Sequence, residues 1–456
     1  MENSQNKELF ESMPVPEAVS TMAIPTIVGQ LIVLIYSIAD TFFIGQTNNP
    51  CMVAAASLIL PVFNISLSIS AITGVGGATL MSRLMGKGQS DEASKVYSFS
   101  VYLTILASAI FSLTVLIFMD PLLRTLGAGN DTFAFAKSYA MCVIVLGGIP
   151  TILTNVLSSF VRNIGESVKA SFGITLGGVI NIALDPIFMF VILPKGNEIL
   201  GAGIATCLSN CIACVYFIVT IKKLNGTSIL KLGPIKDFPQ KSNIINIITV
   251  GTPSAINTFL FDLDYIVIDR LMAGYGDIAL ASMGIVLKAE RLPLNIGIGI
   301  CQGMVPIIAY NYASGNHKRM RETSRFSLLC GIICGLVSIA LYEIFAPFIM
   351  RFFIADTATV ALGTGFLRVR TIATIFMFLS FYHVYLFNSY GKGHYSLFLG
   401  VLRWAVLNIP MLFIFNAVFG MQGIVWAQVV SDVITVIISV LVHRGYIIKH
   451  ESSLTD

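Results

Sequence analysis

Apolar runs of roughly twenty or more residues, each long enough to cross a bilayer core of about 30 Å, recur along the chain between short polar stretches. They occupy about 18–45, 52–73, 97–118, 138–160, 171–193 and 201–221, and then about 244–273, 278–309, 326–350, 366–390, 395–418 and 423–446. With 55% hydrophobic and 11% charged residues over 456 positions, no soluble fold accommodates this sequence. The pattern predicts an all-α polytopic membrane protein of twelve transmembrane helices. Segment 1–17 is polar and acid-rich, without the basic start and apolar core of a cleaved leader, and reads as a tail. Residues 18–221 form a first lobe of six helices, 222–243 a linker, 244–446 a second lobe of six, and 447–456 a second tail.

The polar exceptions inside the runs reveal a duplication. Tyr36, Asp40 and Gly45 close the first run, and Tyr265, Asp269 and Gly274 return at the same internal spacing in the seventh. Gly76, Gly88, Phe99 and Ser100 align without a gap onto Gly303, Gly315, Phe326 and Ser327; Pro25 falls opposite Pro253, Asn181-Ile182 opposite Asn408-Ile409, and Ala205 and Ser209 opposite Ala427 and Ser431. Two copies with an even number of spans each must share one orientation, related by a pseudo-two-fold axis along the membrane normal. A cleft between two such lobes is the natural path for a solute.

Charge orients the chain. Lys222, Lys223, Lys231, Lys236 and Lys241 crowd the linker, and alternate loops carry about eighteen basic residues on its side against about five on the other. Both termini and the linker are therefore expected in the cytoplasm of a cell whose cytoplasmic membrane holds the protein. The net charge of +4 points to no nucleic acid. Eight cysteines lie almost wholly inside apolar runs; Cys207, Cys211 and Cys214, like Cys330 and Cys334, have no flanking histidine or carboxylate and read as small packing residues.

The chemistry lies in intramembrane polar groups. An aspartate within a spanning helix is costly enough to be a functional candidate by default, and Tyr36 and Asp40 share one helix face. The fifth span carries Asn181 and Asp185 one turn apart, followed by Pro186, which frees a backbone carbonyl. The sixth adds Thr206. Asp40 lies roughly 7 Å from the outer end of its span, and Asp185 and Thr206 roughly 12 Å from theirs, so all belong to one depth of one lobe. These oxygens suit a proton or sodium ion; holding the lobe together by helix-to-helix hydrogen bonds is the bland alternative. In the second lobe Asp262, Asp264 and Asp269 face Lys288, Glu290 and Arg291, a density of opposite charge that suits structural ion pairs as well as transport. His383 is a candidate proton relay or a hydrogen-bonded helix contact. Arg368, Arg370 and Arg403 are expected to snorkel to the interface. Glycines in Gly74-Val75-Gly76-Gly77 follow no strand and precede no Walker lysine, so no nucleotide site is read, and no serine, histidine and acid at common depth suggests an enzyme.

These pieces together resemble the MATE (multidrug and toxic compound extrusion) family over essentially the whole chain. The resemblance rests on Asp40, Phe43, Ile44 and Gly45; on Gly76, Ser82, Arg83, Gly86 and Gly88; on Arg162 and Gly165; on Asn181, Asp185 and Pro186; and on Gly201, Ala202, Ala205 and Thr206. It implies cation-coupled export of amphipathic, often cationic drugs, with no cofactor beyond the coupling proton or sodium. It also implies that Asp40, Asn181, Asp185 and Thr206 form the cation site and that helix one bends at Pro25 to expel substrate. A branch of the family that uses acids on helices seven and ten is matched less well, because Asp262 is out of step by one residue and 367–390 contains no carboxylate. The expected partners are small amphipathic molecules and lipid, and the expected working unit is a monomer. The alternative is a flippase for lipid-linked oligosaccharides, which would need a net cationic cavity; Arg162, Lys288, Arg291 and Arg403 are too scattered for one.

Overall fold

A computed structural model describes residues 2–224, 229–234 and 237–449. Lys236 of the linker and 450–456 of the second tail lie outside the described residues. The described chain is almost entirely helical. After the short α1 (Glu2–Glu11) come α2 (Val15–Gln46), α3 (Pro50–Gly86), α4 (Ser90–Ile117), the two-turn α5 (Met119–Thr125), α6 (Asn130–Ala140), α7 (Gly148–Asn163), α8 (Ser167–Pro186) and α9 (Glu198–Leu224). The second half comprises α10 (Lys241–Ala273), α11 (Asp277–Ala313), α12 (His317–Phe353), α13 (Thr357–Ser389), α14 (Gly393–Val401) and α15 (Ile409–Lys449). Three π-helical turns, Met141–Leu146, Ile187–Ile192 and Leu402–Asn408, interrupt the α-geometry.

Among the described residues ten continuous helical segments are long and apolar enough to span a membrane, and the pair Asn130–Leu146 and Gly148–Asn163, bent by 45°, adds another. The longest segment, Gly393–Ile448, is broken at Gly420 (φ 61°, ψ −144°) into two. The count is therefore twelve, and the protein is a multi-pass membrane protein. Outward stripes such as Leu106, Ile110, Leu113 and Ile117 on α4 are exposed, as hydrocarbon-facing surface must be when lipid is the solvent. Helices α3 and α11 end alike: Gly88 and Gly315 take left-handed φ of 71° and 79°, where a side chain would be strained.

The chain divides into two compact units, one made of Met1–Ser12 and Val28–Ala255, the other of Met13–Ile27 and Ile256–Asp456. The first helix of each half is thus shared, changing units two residues after Pro25 and two after Pro253. Glycines permit the sharing. In the first unit a Cβ on Gly251 would strike the Ile72 backbone and one on Gly76 the Ile247 carbonyl, so α10 lies directly on α3. In the second unit a Cβ on Gly303 would come within 2.7 Å of Ala23 Cα. Gly76 and Gly303 are repeat equivalents, and the same close contact is built twice.

Candidate functional site

The first unit gathers the polar groups of three helices. Gly178 on α8 leaves room for α2: a Cβ there would meet Tyr36 Cδ1 at 3.3 Å. Gly203 on α9 does the same for Tyr139, at 3.4 Å. These small residues let helix backbones approach closely enough for short polar side chains to meet. Asn181 Nδ2 donates to Asp185 Oδ1 and to Thr206 Oγ1, each at 3.3 Å. Asp185 is fully buried, and Asn181 nearly so. Asp40 is half-buried and within electrostatic range of Asp185, and Tyr36 and Tyr139 lie within range of both. A π-helical turn begins directly after Pro186, displacing backbone beside Asp185; such turns are frequent at functional sites.

The cluster has too many acceptors. Asp40 Oδ1, Asn181 Oδ1 and Asp185 Oδ2 are buried without a hydrogen-bond partner, and the Asn181 amide supplies the cluster's hydrogen bonds to Asp185 and Thr206. Buried carboxylate oxygens without donors are expensive, and a cation or added proton would satisfy them. Tyr139 belongs to this group by position, and sequence reasoning missed it, because a tyrosine in a span rich in Phe and Tyr carries no distinguishing signal.

The second unit contrasts with the first. Arg370 and Arg403 do not snorkel: they are 2% and 3% exposed. Arg370 grips Glu290 with two bonds, Nε to Oε2 at 2.7 Å and Nη2 to Oε1 at 2.8 Å, and Tyr265 donates to the same carboxylate at 3.0 Å. Arg403 Nε bonds Asp432 Oδ1 at 2.7 Å and its guanidinium lies over the rings of Phe381 and Trp404. A polar chain links the pair to Asp264: Gln428 donates to Asp432 (2.6 Å), and Asn408 donates to Gln428 (3.0 Å) and to Asp264 (2.6 Å). The snorkelling expectation fails because each arginine finds a bidentate or hydrogen-bonded carboxylate within the bundle, where a charged pair is tolerated. Arg368 alone stays half-exposed, 3.5 Å from Glu343.

The repeat explains the contrast. Asn408 stands where Asn181 does, Gln428 where Thr206 does and Leu412 where Asp185 does. The second unit takes its carboxylates from other positions, Asp264, Glu290 and Asp432, and brings two arginines to them. Asp262 is half-buried and Asp269 exposed, and both feel Arg291. Lys288 is exposed. His383 places Nδ1 2.7 Å from the Leu379 carbonyl of its own helix, beside His443 at a ring separation of 5.6 Å.

Comparison with known proteins follows the same duplication. The MatE family profile matches residues 25–187 and, separately, 253–414. Multidrug export protein MepA of Staphylococcus aureus (strain MRSA252) is 31% identical over 95% of this chain and 94% of its own; the MepA of Staphylococcus saprophyticus is 28% identical over the same shares. A crystal structure of a MATE protein in complex with MaL6 superposes with a TM-score of 0.91 at 22% identity, covering 98% of both chains. A MOP superfamily transporter from Pyrococcus furiosus superposes at 0.88, with 22% identity and 98% of both chains. Two profile matches in register with the two halves, and full-length similarity to MepA, mean that the chain belongs to the MatE family.

Proposed function

We propose that the protein is a cation-driven antiporter that exports amphipathic, predominantly cationic compounds across the cytoplasmic membrane. The observation that carries this reading is the acceptor-rich cluster of Asp40, Asn181, Asp185 and Thr206. Protons or sodium ions entering from outside, one for each carboxylate, neutralise the two groups. The first helix, its Asp40 carboxyl no longer repelled by Asp185, bends at Pro25 and closes on the substrate's space, and the lobes then return. Asp40 and Asp185 hold the coupling ion; Asn181 fixes the Asp185 carboxylate; Thr206 adds a hydroxyl oxygen; Tyr36 borders the site. MepA's role in multidrug export supports an amphipathic drug as substrate. The charged core of the second unit pairs its arginines with carboxylates, which argues against the net cationic cavity that an oligosaccharide-lipid flippase would need. Basic residues in the linker support cytoplasmic termini, and the chain is taken to work as a monomer. Asp262, Asp264 and Asp269 are given no coupling role, because Arg291, Arg370 and Arg403 already supply positive charge to them, and His383 is given none because its ring is engaged with the Leu379 carbonyl of its own helix.

The test is ethidium efflux from reconstituted vesicles under a proton gradient or a sodium gradient imposed separately. One gradient should drive wild-type efflux, and Asp40→Asn and Asp185→Asn should each abolish it while the protein remains folded. Silent substitutions in an active protein would remove the site from the mechanism. Loss of transport under both gradients in the wild type would remove the antiport reading.

A further inference from the structure

The repeat also exposes a difference at the opposite end of the two units. In the first, the linker is bound to α4. Ser98 Oγ donates to the Lys231 carbonyl at 2.8 Å and accepts from Gly233 N at 2.9 Å, Ser94 donates to the same Lys231 carbonyl at 3.3 Å, and Tyr102 donates to the Gly233 carbonyl at 2.8 Å. Phe238 packs edge-on to Phe99. In the second unit the gap-free alignment of Phe99-Ser100 with Phe326-Ser327 puts Arg321 and Arg325 where Ser94 and Ser98 stand. There the equivalent face of α12 borders a cavity of about 320 Å³ shared with α13 and α15.

The cavity has a rim and a floor of different chemistry. Arg321, Arg325 and Arg444 are exposed at the rim. Tyr382 and Tyr446 are buried and, with Leu328, make an apolar floor. His443 also lines it, and its buried Nε2 has no hydrogen-bond partner. No carboxylate lines the cavity; Glu322, the acid beside Arg321, is exposed on an adjoining face of α12. Arg321 and Arg325 lie about 6 and 12 Å from the start of α12, and Arg444 about 7 Å from the end of α15, the depth at which headgroups meet hydrocarbon. The volume falls within the range of about 300–1,000 Å³ for small-molecule pockets.

We propose that this cavity is a binding site for an anionic phospholipid, its phosphate held by Arg321, Arg325 and Arg444 and an acyl chain laid against Leu328 and Tyr382. Three guanidiniums suit a phosphate through paired N–H donors, and basic pockets between spanning helices bind acidic lipid headgroups. A hydrocarbon chain suits the floor. His443 Nε2 supplies a polar contact for a glycerol or ester oxygen below the phosphate.

The experiment is native mass spectrometry of the detergent-purified full chain titrated with phosphatidylglycerol or phosphatidylcholine. One phosphatidylglycerol should be retained where phosphatidylcholine is not. Arg321→Gln with Arg325→Gln should weaken it about thirtyfold, about fivefold for each basic residue. Leu328→Trp, with every arginine in place, should obstruct the apolar floor and weaken retention more than tenfold. Equal retention of the two lipids, or phosphatidylglycerol binding unchanged by Leu328→Trp, would overturn the proposal, the second because it would leave only a charged surface. So would a protein dimer in place of the lipid-bound monomer whose abundance follows the arginine substitutions. The arginine positions are exposed, so these variants should keep the wild-type thermal transition.

Discussion

Asp185 and Glu290 are both carboxylates buried among helices, yet their surroundings predict opposite responses to neutralisation. Asp185 has one oxygen bonded to Asn181 and the other unpartnered. Asp185→Asn removes an incompletely satisfied charge, so thermal unfolding in detergent should occur at an equal or higher temperature while drug efflux falls at least a hundredfold. A fall in stability alongside lost transport would mark Asp185 as structural only. Glu290 accepts two bonds from Arg370 and one from Tyr265. Glu290→Gln strands a buried guanidinium and should cost about 3–5 kcal/mol, whereas Glu290→Met combined with Arg370→Met should recover most of that loss. Thermal shifts of the single and double variants decide it, and a double variant as unstable as the single would show that the pair is not the unit. Asp40, Asn181, Asp185 and Thr206 were legible in the sequence because polar residues stand out in apolar spans. The pairing of Arg370 with Glu290 and of Arg403 with Asp432 was not, because a partner 80 or 29 residues away leaves no mark on local spacing, and an arginine that snorkels looks the same in sequence as one that is paired.

Two elements of the second unit show how local sequence fixes helix placement. Gly331 and Gly335 are one turn apart on α12 and face α13: a Cβ on Gly331 would overlap the Phe378 ring, and one on Gly335 would lie 2.7 Å from Ile375 Cγ1. This is the small-residue spacing by which membrane helices approach without a hydrophobic force between them. Gly331→Ala should destabilise by about 1–3 kcal/mol as the ring is forced to move, and Phe378→Leu should relieve part of that cost; the same thermal assay reads both. At the start of α13, Asp356 accepts from Thr359 N at 2.8 Å and from Thr359 Oγ1 at 2.6 Å. These hydrogen bonds hold its carboxyl below the ordinary value of 3.8, so its capping contribution is complete above that value and is lost as pH falls through the lower folded one. Asp356→Ala should therefore lower the unfolding temperature at pH 7, and the gap to the wild type should close in strong acid; a gap independent of pH would assign the effect to something other than the charged cap. The twelve spans were readable because each is a long apolar run. The Gly420 break was readable too, since it falls between the expected spans 395–418 and 423–446; the three π-helical turns were not, because they change backbone geometry inside stretches whose composition stays uniform.

At the scale of the whole molecule the duplication has become asymmetric. Equivalent positions hold Asn181 and Thr206 in one unit and Asn408 and Gln428 in the other, but arginine charge has been brought to the second and not to the first. Coupling should then depend on one unit, and its stoichiometry on how many carboxylates that unit leaves uncompensated. Asp40 and Asp185 are two, which predicts two monovalent ions entering for each drug leaving. For a singly charged cationic drug, one-for-one exchange moves no net charge and ignores membrane potential, whereas two-for-one exchange carries one charge inward. That charge gains about 2.3 kcal/mol at about 100 mV, which is close to fiftyfold in accumulation at about 1.4 kcal/mol per decade. In vesicles with no ion gradient other than potassium, a valinomycin-set potential of that size should drive ethidium efflux and shift its steady-state ratio by more than tenfold. A zwitterionic drug under the same potential should respond more strongly, because two charges then move. An ethidium distribution that ignores potential but follows the coupling-ion gradient would reduce the stoichiometry to one and leave either Asp40 or Asp185 as a spectator of the exchange.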